Sequence, residues 1–437
     1  MIFMPLLFER ERQQKRRMPV FAIRPSAGKA HLSTRPHVPC GLAHFTTRGE
    51  GVRHRSIKIN IACLLAGSAF AGLNAHAQSS VTLYGVIDEG IDYVSNSGGH
   101  SLWRMRDGTY DGVYGSRWGL KGSEDLGGGL SAVFRLESGF STENGQSRQG
   151  GRLFGRQAYV GLADARLGTV TLGRQYDSVV DYLQPLTAPG QLGGPLIHLG
   201  DIDNTDNSFR VDNSIKYASP KIGGLTFGGL YSFTNTNAPG RGTTGLWSVG
   251  ANYAFGGFNL AGAYLYAKNP ALLLTDGNYV GNTAGAAIGA SGPFSYVGNP
   301  VNEQIFGAAI NYAVGSATLG LDYTNTKFND ANGTQGTVIF TNYEAWGRYN
   351  LTSAWYVGAQ YVYTHGNVGY DQSIPIYHQV GLTTAYALSK RTSVYAMGVW
   401  QKAAGAASNA DIFDGAVASA SSSNHQTAVR IGIYHQF

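Results

Sequence analysis

The amino-acid sequence predicts an all-β protein in which sixteen antiparallel strands close into a single barrel. Three observations favour this fold. The 437 residues include 61 glycines and 12% aromatic but only 14% charged residues, a composition typical of β proteins with many turns. From residue 78 onward, short segments alternate apolar and polar side chains. The connections between these segments alternate between tight, glycine-rich turns and long, polar loops.

The positive charge of the chain is concentrated in its first part. The whole chain has a formal net charge of +6, but residues 1–77 hold 12 of its 33 Lys/Arg and only 3 of its 27 Asp/Glu. The remaining part is therefore weakly acidic, which argues against a nucleic acid as partner. Both cysteines, Cys40 and Cys63, also lie in this first part. The rest of the chain can form no disulfide, thiolate metal site or cysteine nucleophile.

A signal peptide is predicted over residues 52–77. Basic residues precede an apolar run, Ile61–Leu73, and the small residues of Ala75-His76-Ala77 follow it, so we expect cleavage between Ala77 and Gln78. The apolar run is shorter than the ~20 residues that a membrane-spanning helix needs. Residues 1–51 are basic and lack periodicity, and we interpret them as a non-native or disordered leader, with translation starting near Val52. Residues 78–437 form the predicted barrel domain.

The strand pattern is clearest at the two ends of the barrel domain. In the first strand, Leu83, Gly85, Ile87 and Ile91 share one face, while Thr82, Tyr84, Asp88 and Asp92 share the other. The last strand alternates in the same way and ends on the aromatic residue Phe437. A terminal strand of this kind, behind a cleaved signal peptide, is typical of proteins exported to the outer membrane. We therefore assign Phe437 to the assembly signal.

The lengths of the connections divide into two classes. Seven short turns alternate with eight long loops. Together these connections separate sixteen strands and place all the long loops at one end of the barrel. The long loops cover about 94–111, 141–152, 177–209, 235–243, 269–302, 328–338, 366–375 and 403–424. This asymmetry is the plan of an outer-membrane barrel, whose closed hydrogen bonding allows it to face lipid. Aromatic residues near strand ends, among them Tyr84, Trp346 and Trp400, are expected to form interfacial girdles.

Several motifs in this order resemble the general Gram-negative trimeric porins, with the β-proteobacterial branch as the nearest match over residues 78–437. They are Ser116–Gly127, Gly155–Leu162, Gly168–Arg174, Arg210–Pro220 and the terminal Phe437. The resemblance implies a homotrimer in outer-membrane lipid and lipopolysaccharide, inserted by the barrel-assembly machinery through the C-terminal strand. It also implies that the third loop, 177–209, folds into the lumen opposite an arginine cluster formed by Arg117, Arg156 and Arg210.

The residues themselves support the arginine cluster to different degrees. Arg117 shares strand parity with Gly119 and Lys121, which predicts an inward side chain. By parity alone Arg156 would point outward, and Arg210 could be a loop cap instead of a pore residue. Arg135 is a fourth candidate on the barrel wall. On the loop, the candidates are Asp181, Asp201, Asp203 and Asp206, although Asp in loops also caps turns without any further role.

We expect an outer-membrane diffusion channel that passes ions and small hydrophilic solutes passively, with no cofactor and no metal. Opposed charges across the narrow part would set up a transverse field in the pore. No histidine pair has a zinc-ligand spacing and no G-x-S-x-G motif is present, so we do not expect an enzyme. Two alternatives remain open: a substrate-selective porin, with loop 269–302 supplying selectivity, and a non-conducting adhesin or structural barrel.

Overall fold

A computed structural model describes residues 80–234, 245–274, 293–412 and 419–437. The predicted signal peptide, its cleavage site at Ala77 and Gln78, and both cysteines lie outside the described residues. So do parts of three predicted long loops, at residues 235–244, 275–292 and 413–418.

The described part of the chain forms a closed antiparallel β-barrel. Its strands are β1 Ser80–Ser97, β2 His100–Asp107, β3 Arg117–Gly127, β4 Leu130–Gly139, β5 Gln157–Asp164, β6 Gly168–Gln175, β7 Val211–Ala218, β8 Leu225–Ser232, β9 Gly245–Phe255, β10 Phe258–Lys268, β11 Asn302–Val314, β12 Ala317–Asn329, β13 Val338–Asn350, β14 Trp355–Val368, β15 Pro375–Ala387, β16 Thr392–Gly405 and β17 His425–Gln436. Successive strands from β3 onward pair with one another, β2 and β3 each pair with β1, and β17 pairs with β1 from Val86↔Gln436 to Val94↔Ala428 to close the ring. The backbone of Phe437 also exchanges two hydrogen bonds of 3.0 Å with Gly85.

The seventeen described strands occupy sixteen positions, which confirms the predicted strand number. The second position is shared by β2 and β3, because β1 pairs with β2 in its second half and with β3 in its first half. Residues 108–116 interrupt this position. The sequence analysis instead predicted a long loop over about 94–111, and this was wrong. The strand β2 does carry the alternation of a barrel strand, with Trp103 and Met105 exposed on the outer face and Arg104 and Arg106 directed inward.

The two faces of the barrel follow the strand alternation. Outward side chains are apolar and exposed, as at Ile91 and Ile431, which face each other on β1 and β17 with 55% and 66% exposure. Their inward neighbours Asp92 and Arg430 are 2% exposed and joined by a 2.7 Å ion pair. An apolar outer band is the surface that a barrel presents to lipid.

Helical segments are short and lie in the connections. They are Arg148–Gly151, Val179–Leu183, Gln184–Leu186, Ala188–Leu192, Leu199–Asp201, Pro270–Leu273, Pro293–Tyr296 and Ala331–Gly333. Within the described residues, none of the helices has the length and apolarity needed to cross a bilayer. Of the eight helices found in the described residues, four belong to the single connection between β6 and β7.

Candidate functional site: a constriction inside the barrel

The connection between β6 and β7, residues 176–210, folds into the barrel. We call it the constriction loop. It is mostly buried, and its inward-packed apolar residues are Val179, Leu183, Leu186, Ala188, Leu192, Leu196, Ile197, Leu199, Ile202 and Phe209. Two of its three prolines, Pro185 and Pro189, each stand near the start of a short helix, where a missing N–H costs nothing. The predicted inward fold of this loop is confirmed.

Glycines of the barrel wall allow the constriction loop to approach closely. Tyr182 packs on Gly250, where an added Cβ would come within 2.7 Å of its ring, and Leu192 packs on Gly358 in the same way at 2.6 Å. A Cβ on Gly381 would overlap the side chain of Leu196. Small residues at these wall positions therefore fix where the loop lies.

Polar side chains of β13–β15 complete this attachment. Trp346 donates its indole N–H to the Leu186 carbonyl at 3.1 Å, Gln360 donates to the Leu196 carbonyl at 3.0 Å and Gln379 to the Ile197 carbonyl at 2.6 Å. Glu344 accepts a 2.8 Å hydrogen bond from the Ala188 N–H. These bonds satisfy backbone groups of a loop that has no strand partner, as buried backbone requires.

A buried ionic cluster fastens the far part of the constriction loop. His198 Nδ1 lies 2.5 Å from Asp203, and its Nε2 lies 3.3 Å from Asp322 and 3.5 Å from Glu344. Asp203 also accepts hydrogen bonds from Thr324 and Asn342. These carboxylates raise the pKa of His198 well above its usual value despite burial, and His198 lowers the pKa of Asp203 to about 2.

The cationic side of the lumen is built around one carboxylate, Glu137 on β4. Arg156 donates to Glu137 at 2.8 Å, and the Arg117 guanidinium lies 4.0 Å from the same carboxylate. The hydroxyls of Tyr84 and Tyr176 donate to it at 2.8 and 3.1 Å. Arg117 and Arg156, both predicted from sequence, are thereby brought together.

Aromatic rings connect the other two predicted arginines to this group. The Arg210 guanidinium lies 5.6 Å from the centre of the Tyr176 ring, and that of Arg135 lies 5.8 Å from the Tyr84 ring. Four arginines thus share one neighbourhood with Glu137. Arginine keeps its charge under these conditions, and its planar group stacks on rings.

The four predicted loop acids lie in different environments. Asp206 is partly exposed and within electrostatic reach of Arg210 and Arg156; burial raises its pKa to about 7, against the opposing effect of the two arginines. Asp181 is bonded to Lys216 at 2.6 Å. Asp201 is buried and accepts from the N–H groups of Asp206 and Ser208, which is the turn-capping role. Asp203 is buried in the His198 cluster, away from the arginines.

Several residues that shape the site were not predicted from sequence: Tyr84, Glu137, Tyr176, Lys216 and the inward segment 108–116. Glu137 had a usable signal, because it shares strand parity with Arg135 and Ser131. Segment 108–116 had none in the sequence; it meets the constriction loop where Val113 packs on Gly193. Tyr84 and Trp346, expected in the aromatic girdles, face inward instead.

A cavity of about 390 Å³ adjoins the first half of the constriction loop. Its walls are mainly polar and neutral, and they are formed by Asp181, Tyr182, Pro185, Leu186, Gln191, Thr226, Asn252, Asn259 and Asn311. Amide and hydroxyl groups of this kind suit water and hydrophilic solutes.

Comparison with known proteins decides the family. A family model described as Gram-negative porin matches residues 62–405. The chain belongs to this family. The porin is 30% identical to outer membrane porin protein 32 of Delftia acidovorans, over 87% of this chain and 99% of that protein. It is 44% identical to an outer membrane porin of Bordetella pertussis, in a region that spans 40% of this chain and only 47% of that protein.

Solved structures give the same result for the fold. An anion-selective porin from Comamonas acidovorans superposes with a TM-score of 0.66 at 25% identity, covering 82% of this chain and all 100% of that chain. OmpT of Vibrio cholerae, in a trimer form, gives a TM-score of 0.60 at 15% identity over 82% of this chain and 99% of that chain. The porin is therefore an outer-membrane channel for passive diffusion, and its relatives are channels rather than enzymes.

Proposed function

We propose that this porin is a general diffusion channel that prefers small anions and conducts through a charged constriction. The observation that supports the proposal is the group of four arginines, Arg117, Arg135, Arg156 and Arg210, around the single carboxylate of Glu137. The barrel as a whole is weakly acidic, but we expect the local excess of positive charge at the constriction to decide the ion preference. Ion selectivity is set at the narrowest part of a pore, where the local field is strongest.

The opposing side of the field is supplied by the constriction loop, through Asp206 and Asp181. These two acids are not sealed from solvent as Asp203 is, and each lies close to basic side chains. Polar solutes can align between the two sides, while apolar solutes must displace ordered water. The name of the Comamonas relative, an anion-selective porin, agrees with this preference.

We further propose that the porin works as a homotrimer, with no enzymatic activity and no cofactor in permeation. The trimer form of the Vibrio relative and the porin family support self-association. Contacts with lipopolysaccharide, and recognition of Phe437 by the barrel-assembly machinery, belong to the same proposal. The exposed, outward side chains of Ile431, Ile433 and Phe437 fit a terminal strand read from the lipid side.

Planar-bilayer recording of the exported protein tests this function. In a KCl gradient, the reversal potential should take the sign of a chloride preference, and channels should insert in three equal conductance steps. A bilayer that stays silent would contradict the channel, and a potassium-selective potential would contradict the role of the arginines. Strong current block by one sugar or amino acid at micromolar concentration would favour the substrate-selective alternative.

A further inference from the structure

The contacts that hold the constriction loop to the barrel wall include a cluster of three polar side chains that the channel function does not use. His198 on the loop meets Asp322 on β12 and Glu344 on β13, and the potential ligand atoms of the three lie within 4.8 Å of one another. The side chains of His198 and Asp322 have 0% exposed area. Three strongly polar groups thus converge in a place closed to bulk water.

Within the described residues, three buried atoms of this cluster, His198 Nε2 and both carboxylate oxygens of Asp322, have no partner in hydrogen-bond geometry. By contrast, Glu344 accepts from the Ala188 N–H and from Gln360. A buried ionised carboxylate without donors is strongly destabilised unless it takes up a proton or a cation compensates its charge.

The two distances from His198 Nε2 to the carboxylate oxygens fit a small divalent cation. His198 Nε2 is 3.3 Å from an Asp322 oxygen and 3.5 Å from a Glu344 oxygen. A tetrahedral zinc ion with bonds of about 2.0–2.1 Å separates neighbouring ligand atoms by about 3.3–3.4 Å. One imidazole nitrogen and two carboxylate oxygens are also a ligand set that such ions accept.

The surroundings of His198 fit the same chemistry. Asp203 holds His198 Nδ1 at 2.5 Å, and Asp203 is itself held by Thr324 and Asn342. A metal bound at Nε2 would displace the proton from that nitrogen and leave the Nδ1 proton directed toward Asp203. This carboxylate–histidine–metal order is how proteins orient a ligating imidazole.

Charge balance adds an independent argument. With neutral His198, the carboxylates Asp203, Asp322 and Glu344 would leave three negative charges buried together, and a protonated His198 would still leave two. A divalent cation on a neutral His198 leaves one, which the hydrogen bonds to Asp203 and Glu344 can support. No lysine or arginine is paired with Asp322 or Glu344 among the described residues.

We propose that His198, Asp322 and Glu344 form a binding site for a divalent transition-metal ion of the zinc class, which clamps the constriction loop to the barrel wall. The metal would enter during folding, when the loop closes over β12 and β13, because the finished site is sealed. Asp203 is a positioning residue for His198 and does not touch the ion. The site has a structural role and takes no part in permeation chemistry.

Refolding the untagged, exported protein with ZnCl₂ or with EDTA tests the site. After removal of free metal, elemental analysis should find one zinc per wild-type chain and a higher midpoint of thermal unfolding than after refolding in EDTA. H198Q and D322N should lose the zinc and this difference in midpoint. The matched control H425Q, which changes an exposed histidine, should keep both.

A second variant keeps the test valid if the first ones fold poorly. Asp203→Asn leaves all three ligands in place, and zinc affinity should fall by about 10–100-fold. Cobalt in place of zinc should give the visible absorption of a tetrahedral site. Absence of bound zinc in folded wild type, or equal zinc in wild type and H198Q, would overturn the proposal and leave a proton-sharing cluster of His198 with its carboxylates.

Discussion

The two sides of the lumen use charged residues in opposite ways. On the cationic side, Arg117 and Arg156 keep 25% and 12% of their side-chain area exposed and are supported by tyrosines and one carboxylate. On the other side, which we call the fastening side, His198 and Asp203 help to hold the constriction loop to the barrel wall. Their side chains have 0% exposed area. The first group can act on a passing solute, whereas the second can only hold the constriction loop.

This difference shows that acidity on a pore loop is not a guide to its role. Asp203 and Asp206 stand three residues apart, yet one is sealed at the wall and the other faces Arg210. The sealed groups fix the position of the loop, and the loop position fixes the distance between Asp206 and the arginines. Substitutions on the fastening side should therefore mainly change stability, and substitutions on the cationic side should mainly change selectivity.

The largest effect is expected from Trp346→Ala on the fastening side. Trp346 is 4% exposed and donates to the Leu186 carbonyl, so its removal leaves a cavity and deletes this hydrogen bond. Loss of a buried Trp costs about 3–5 kcal/mol of unfolding free energy. Urea unfolding in detergent measures this loss of unfolding free energy. Trp400→Ala, on the outer face, is the matched control, and an equal loss in both variants would contradict the fastening role of Trp346.

A smaller effect is expected from Gly381→Ala. The added methyl would overlap Leu196 and push the constriction loop from the wall, and such overpacking costs about 1–3 kcal/mol. Single-channel recordings should also become noisier, because the loop is less well held. Gly398→Ala is the control, since its Cβ would meet other atoms only at 4.0 Å. Unchanged stability and noise in Gly381→Ala would show that the loop does not rest on this glycine.

The smallest effect concerns pH and Asp206. Burial raises the pKa of Asp206 to about 7, so the side chain is charged at pH 8 and becomes neutral as the pH falls toward 5. Loss of this negative charge should increase anion preference at low pH, by at most a few-fold in permeability ratio. Asp206→Asn should show the low-pH selectivity at both pH values. A wild-type anion preference that decreases on acidification would contradict this role of Asp206.

The sequence predicted the barrel well because lipid imposes a simple rule on every strand. The strand number and the inward direction of Arg117 follow from loop length and alternation, whereas the inward fold of the third loop follows from the resemblance to porins. The exception was β2, whose inward arginines pair with Asp92 and Asp111 inside the barrel. The alternation itself is intact in β2, because Trp103 and Met105 remain exposed on the outer face between the inward arginines.

Side-chain roles inside the lumen could not be predicted in the same way. Arg156 has the parity of an outward residue, but it precedes β5, and its side chain turns back to Glu137. Which of Asp201, Asp203 and Asp206 meets solvent depends on wall residues more than 100 positions away, such as Thr324 and Asn342. These contacts join residues that are distant in sequence and meet only when the barrel closes. A local sequence pattern therefore does not predict them.

The central claim is that the arginines on the cationic side set the selectivity of the channel. The reversal potential of Arg117→Glu in a KCl gradient tests it most directly, compared with wild type and with Arg166→Glu, where the arginine side chain is 79% exposed on a short turn. The account predicts a shift toward cations in Arg117→Glu and no shift in Arg166→Glu. An unchanged reversal potential in a folded, conducting Arg117→Glu channel would contradict it.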